Sequence, residues 1–194
     1  LKVLVRMRVI GPSGSVVQAA GCRPGSTLGQ LNTPSGTALR TLGSGEGSEL
    51  GQLNFPETAA MDVAADIAVV ADQRNHRLQV FRLSDGTALR TLGSGPGSAL
   101  GQLNTPTGVA LDVDADIVLV VDNQNHRMQV FRLSDGIALR TLGSGPGRAL
   151  GQLNNPTGVA LDVAADIVLV ADYSNHRVQV FRLSDGIALR TLGS

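Results

Sequence analysis

The histidines at 76, 126 and 176 each sit in an Asn-His-Arg triplet, and their flanks keep the same fifty-residue step. The passage "ADQRNHRLQVFRLSDG" (71–86) returns as "VDNQNHRMQVFRLSDG" (121–136) and "ADYSNHRVQVFRLSDG" (171–186). A period of this size calls for an architecture of stacked identical units, because one such unit cannot bury its own apolar faces.

Each unit holds four short runs rich in Val, Ile, Leu and Phe. In the middle unit these are 109–113, 117–121, about 127–133 and 137–142, separated by "DAD", the Asn-His-Arg stretch and Ser134-Asp135-Gly136. None carries a sustained helical period, so strands are expected throughout and helices nowhere. In the third run Met128, Val130 and Arg132 share one face, and Gln129, Phe131 and Leu133 the other. The glycine-rich "GSGPG" at 93–97 and 143–147 cannot sustain a strand and suits a crossing from an outer strand to the next inner one. Antiparallel four-stranded units repeated radially form a β-propeller. A β-solenoid with fifty-residue coils competes, but the "LSDG" hairpin signal favours antiparallel neighbours.

Pro-Thr-Gly-Val-Ala-Leu-Asp, then Ile-Val-Leu-Val-x-Asp-x-x-Asn-His-Arg-x-Gln-Val-Phe, resembles the NHL repeat, with Arg as the third signature letter. Trp-Asp propeller repeats need tryptophan and kelch repeats want paired glycines with aromatics, so both fit worse. The resemblance implies an all-β fold of four-stranded antiparallel blades: blades at 51–100, 101–150 and 151–194, an incomplete arc of a ring that in this family is generally six-bladed.

Residues 1–50 read as a worn partial repeat. "VRMRVIGPSGSVVQAAG" (5–21) aligns with the third-and-fourth-strand hairpin of a unit with one residue missing. A stray strand at about 37–43 follows, which could serve as an inner or an outer strand. Blade 151–194 is almost a copy of 101–144 and carries no polar capping substitutions. Exposing ~400 Å² of apolar blade face forfeits on the order of 10 kcal/mol, so further blades, a second copy or a partner are expected to cover the blade ends.

Asp72, Asn75 and His76, with their counterparts Asp122, Asn125 and His126 and Asp172, Asn175 and His176, are expected to staple a hairpin. Asp accepts hydrogen bonds from turn backbone and Asn tolerates a left-handed conformation. Arg77, Arg127 and Arg177 offer forked donors to a nearby carboxylate or carbonyl. A histidine-bound metal is not expected, since the rings come one per blade with no second ligand beside them. Gln73-Arg74, Asn123-Gln124 and Tyr173-Ser174 vary while their flanks stay fixed. Loop tips on a rigid scaffold are where binding commonly lives. These six residues, with Arg77, Arg127 and Arg177, make the candidate contact face, on the same side as the blade crossings. Tyr173 is the aromatic expected in solvent.

No complete reactive constellation appears. Asp112-x-Asp114-x-Asp116 opens like a calcium loop but has Ile117 in place of glycine and no following Glu, so it reads as a strand turn. "GSGPGSALG" lacks the Lys and helix of a phosphate cradle, and Pro156 spoils Asn155-Pro156-Thr157 as a glycosylation acceptor. Sixteen acidic and sixteen basic residues leave no net field to draw in nucleic acid or an acidic membrane. The apolar runs are too short for a membrane-spanning helix, and one cysteine, Cys22, permits no internal disulfide. A soluble intracellular setting is favoured, though no residue identifies a compartment.

The expected function is therefore a non-catalytic scaffold binding a protein partner, with no catalytic residue, metal or cofactor. The family resemblance implies two alternatives. One is part of a metal-dependent lyase or lactonase, whose ligands would sit on inner strands that here offer one Asp each (Asp62, Asp112, Asp162) and no His. The other is single-stranded RNA binding on a basic face.

Overall fold

Alternating apolar residues between turn signals form strands wherever the repeat places them, and the register follows from which residues need covering. A computed structural model of the chain describes residues 41–193. The first blade comprises β1 (Pro56–Asp62), β2 (Ile67–Asp72), β3 (Arg77–Arg82) and β4 (Ala88–Leu92). The second comprises β5 (Pro106–Asp112), β6 (Ile117–Asp122), β7 (Arg127–Arg132) and β8 (Ala138–Leu142). The third comprises β9 (Pro156–Asp162), β10 (Ile167–Asp172), β11 (Arg177–Arg182) and β12 (Ala188–Leu192). Each blade is one antiparallel sheet whose strands neighbour one another in chain order. Inner strands β1, β5 and β9 lie side by side, so the arrangement is an incomplete propeller.

Two apolar seams hold the blades together. The back of the first blade (Val69, Ala71, Leu78, Val80 and Leu92) packs on Val109, Val118, Val120, Phe131 and Leu133 at the front of the second. The second seam repeats it, with Leu119, Val121, Met128, Val130 and Leu142 against Val168, Val170, Phe181 and Leu183. The faces of β7 are therefore divided as its alternation predicts: Met128 and Val130 point backward, Phe131 and Leu133 forward. Each such side chain, fully buried, contributes about 1.5–3 kcal/mol.

The ends of elements depart from the sequence expectation. Inner strand β5 starts at Pro106, not 109, and a bulge between Pro106 and Val109 absorbs the extra residues. Proline is tolerated as first residue because no ladder donor is required there. β7 stops at Arg132 and β8 starts at Ala138. Three-residue 3-10 turns occupy 73–75, 123–125 and 173–175, where no helical turn is expected from the pattern. The glycine crossings form no strand but fold on themselves: Leu103 N–H donates to Gly95 O at 3.1 Å, and the Leu103 side chain is fully buried in the first seam.

The hairpin expected at 5–21, and most of the stray strand at 37–43, lie outside the described residues. Thr41 and Leu42 sit against Gly86 as Thr91 and Leu92, the end of an outer strand, sit against Gly136.

Candidate interaction face

The Asn-His-Arg stretch joins the second strand of a blade to its third. Asp122 closes β6 and is completely buried. Its carboxylate accepts from Asn104 N–H (2.7 Å), Asn125 Nδ2 (2.8 Å), Arg127 Nε (2.7 Å) and Gln129 Nε2 (3.1 Å). Those donors do a second task. Arg127 also donates to the carbonyls of Ser98, Ala99 and Gln102, Asn125 to Gly97 O, and Gln129 to Gln102 O. Gln129 Oε1 in turn accepts from Gly101 N–H at 2.9 Å. The set staples the incoming crossing loop onto the blade that follows it, rather than stapling only its own hairpin. The first blade repeats the arrangement with Asp72, Asn75, Arg77 and Gln79, and the third with Asp172, Asn175, Arg177 and Gln179.

A buried carboxylate is costly unless paired and hydrogen-bonded, and here Oδ2 accepts from three side chains and Oδ1 from a backbone N–H. For Asp172, burial pushes the carboxyl upward, but donation from Asn175, Arg177, Asn154 N–H and Gln179 outweighs it and holds the group below the ordinary carboxylate value.

The left-handed residue of the turn is the histidine, not the asparagine to which sequence reasoning assigns that tolerance. His76, His126 and His176 have φ of 53°, 52° and 55°. The left-handed turn accompanies a bond across the seam: His76 Nδ1 accepts from Thr105 N–H and His126 Nδ1 from Asn155 N–H, at 3.2 and 3.1 Å. His76 and His126 therefore each latch their blade to the next. A second latch lies at the outer strands, where Arg90 donates to Leu133 O and Arg140 to Leu183 O.

The variable tips lie at the same end of the blades as the glycine crossings, since Asp122 pairs with both Pro106 and Arg127 and Met128 pairs with Leu142. Gln73, Asn123 and Ser174 are half-buried, while Arg74, Gln124 and Tyr173 are exposed. The tips differ in chemistry. Arg74 stacks its guanidinium 3.5 Å from the ring centroid of Phe55. Asn123 donates to Pro156 O in the next blade and accepts from Gln124. Ser174 Oγ accepts from Asn155 Nδ2, leaving Tyr173 projecting at 68% exposure. Arg77, Arg127 and Arg177 lie at this end too, but their side chains are only 13–15% exposed and their guanidinium groups are committed to the staples.

Sequence reasoning missed Phe55, which is 47% exposed beside Arg74. The signal was present: Phe55, Thr105 and Asn155 are equivalent positions that vary between fixed Asn and Pro neighbours, the same pattern that singles out the tips.

At the opposite end the Asp-x-Asp-x-Asp stretch serves as a turn. Asp112 accepts from Ala115 N–H, and Asp116, left-handed at φ 56°, accepts from the Ser134 backbone and hydroxyl. Exposed Asp85 accepts from Thr87 N–H, which with the Arg82 ion pair lowers its carboxyl to about 2. Among the described residues no group of three or more His, Cys, Asp or Glu could hold a metal ion, and no helix is long and apolar enough to cross a membrane.

Comparison with curated proteins gives no match. The family model described as the NHL repeat matches residues 103–131 and 153–181, which run from the buried leucine of each crossing loop to the phenylalanine of the third strand. Both stretches hold the Asp, Asn, Arg and Gln of the staple and the histidine of the turn. Two stretches of the chain thus match the NHL repeat, each lying within a blade of an incomplete propeller.

Proposed function

We propose that the chain is a non-catalytic scaffold that binds a protein partner through the end formed by its crossing loops and 3-10 turns. One observation carries the reading. Of the five aromatic side chains, three are strand phenylalanines buried in the blades, and the two exposed ones, Phe55 and Tyr173, both fall on this end. Aromatic and arginine side chains on rigid backbone are the usual anchors of protein interfaces. Arg74 stacked on Phe55, Asn123 with Gln124, and Tyr173 with Ser174 give the three equivalent tips different chemistry. Specificity then comes from what each tip offers, while the staples below stay constant.

Single-stranded RNA would need cations left over for phosphates. The staple arginines are paired with buried aspartates, which leaves Arg74 on a tip and Arg148 on a crossing loop as exposed cations at this end.

Selection of a random-peptide display library on the immobilised chain tests the reading. Recovered peptides should lose binding by about tenfold or more on Tyr173→Ala or Phe55→Ala. Binders indifferent to both substitutions would overturn it, as would retention of single-stranded RNA that disappears as salt is raised.

A further inference from the structure

The three crossing loops share one backbone and differ in charge. Glu46, Pro96 and Pro146 make the same parallel bridge, to Leu53, Leu103 and Leu153. On that common frame the first loop carries Glu46 and Glu49, the second no charge, and the third Arg148. All three charged side chains are exposed, and none forms an ion pair among the described residues. Beneath them the staple arginines and aspartates cancel blade by blade. The crossings therefore run from acidic over the first blade to basic over the third.

The tips carry a matching polarity of another kind. On the first blade the Arg74 guanidinium lies 3.5 Å from the centroid of the Phe55 ring, which covers one of its two faces. On the third, Tyr173 projects at 68% exposure. Between them Asn123 and Gln124 offer only neutral amides. A surface with complementary ends and a neutral middle matches itself when turned over.

We infer that the protein partner of this end is a second copy of the chain, met face to face about a two-fold axis through the second blade. The inference rests on the reading that this end is the interaction face. Such an axis lays the first blade of each copy over the third blade of the other, and the second blade over its own equivalent. It preserves distance from the centre of the propeller, so crossing meets crossing and tip meets tip. Glu46 and Glu49 then face Arg148, and Tyr173 takes the guanidinium face of Arg74 that Phe55 leaves. The amides of Asn123 and Gln124 meet their own kind, donor to acceptor. The charges also select the register. An axis through the first blade would set the two glutamates against themselves, and one through the third would set Arg148 against itself. The apolar blade ends take no part in this contact.

Sedimentation equilibrium of the whole chain over a range of concentration and salt provides the test. A dimer should form and weaken as salt is raised. Glu49→Arg and Arg148→Glu should each weaken it by about tenfold, since every contact occurs twice, while urea unfolding of either variant stays near that of the parent. An equimolar mixture of the two variants should dimerise more tightly than either alone, because each supplies the charge the other lacks. A chain monomeric throughout would overturn the inference. So would a dimer indifferent to both charge reversals, the result expected if copies meet through their blade ends. If the chain is monomeric while display-selected peptides still depend on Tyr173, the pairing falls and the binding face stands. If those peptides ignore both Tyr173 and Phe55, the face itself falls.

Discussion

His76 Nδ1 accepts the backbone N–H of Thr105 at 3.2 Å, from a residue in the loop that opens the next blade. The bond requires a ring nitrogen free of its proton, and it turns the signature histidine from a supposed turn residue into a fastening between units.

Substituting these histidines should therefore separate by position. Asn also tolerates a left-handed backbone, so His126→Asn and His176→Asn impose similar local strain but remove a latch only from the former. His126→Asn should cost about 1 kcal/mol more than His176→Asn, checked by urea unfolding of the two variants.

Removing the centre of a staple should be far more damaging. Asp122→Ala strands Arg127, Gln129 and Asn125 beside a buried gap and frees the Asn104 N–H. A loss of about 3–5 kcal/mol is expected, measured by urea denaturation. By contrast Asp135→Ala, which removes an exposed carboxylate paired with Arg132, should shift the midpoint little.

Thr105 is held at φ 50°, a left-handed conformation costly for a β-branched residue. Asn155 occupies the equivalent place at φ 46°. Thr105→Asn keeps the N–H donated to His76 and should raise stability by about 1 kcal/mol, seen as a higher Tm. An unchanged or lower Tm would show that the threonine hydroxyl, which donates to Asn104 O at 2.8 Å, matters more than the strain.

Acid should undo the staple of the third blade. The folded carboxyl of Asp172 lies below its unfolded value, so the native state binds fewer protons than the unfolded one. The resulting stabilisation is fully present above the ordinary carboxylate range and is lost as pH falls through the lowered folded value. Urea midpoints measured from pH 7 downward should fall in that window, and Asp172→Asn should flatten the fall. Asp85 gives an independent check, since carboxyl NMR titration should place its midpoint at about 2.

The repeat period, the four strands and the two faces of β7 were all legible in the residues, because burial writes itself as alternation. The placement of the tips beside the crossings followed from strand order alone. The staple's second half was not legible. Gln129 reads as an ordinary polar position in an alternating strand, yet it is fully buried and bonded to Gly101 and Gln102, more than two dozen positions earlier. Likewise the histidine's partner belongs to the next unit, so no local spacing points to it. No local spacing marks the leucine that ends each glycine crossing, and only the seam that Leu103 plugs shows why it is there. Phe55 escaped because a lone aromatic beside proline looks like core, whereas the bend before β1 turns it outward.

Because Arg127, Asn125 and Gln129 grip the chain at 97–102, the loop is owned by the sheet downstream of it. Anyone trimming this protein to a shorter working length should cut ahead of Gly93 or Gly143, never at Pro106 or Pro156. A piece begun at the proline would keep all four strands and lose the carbonyls its buried arginine was folded around.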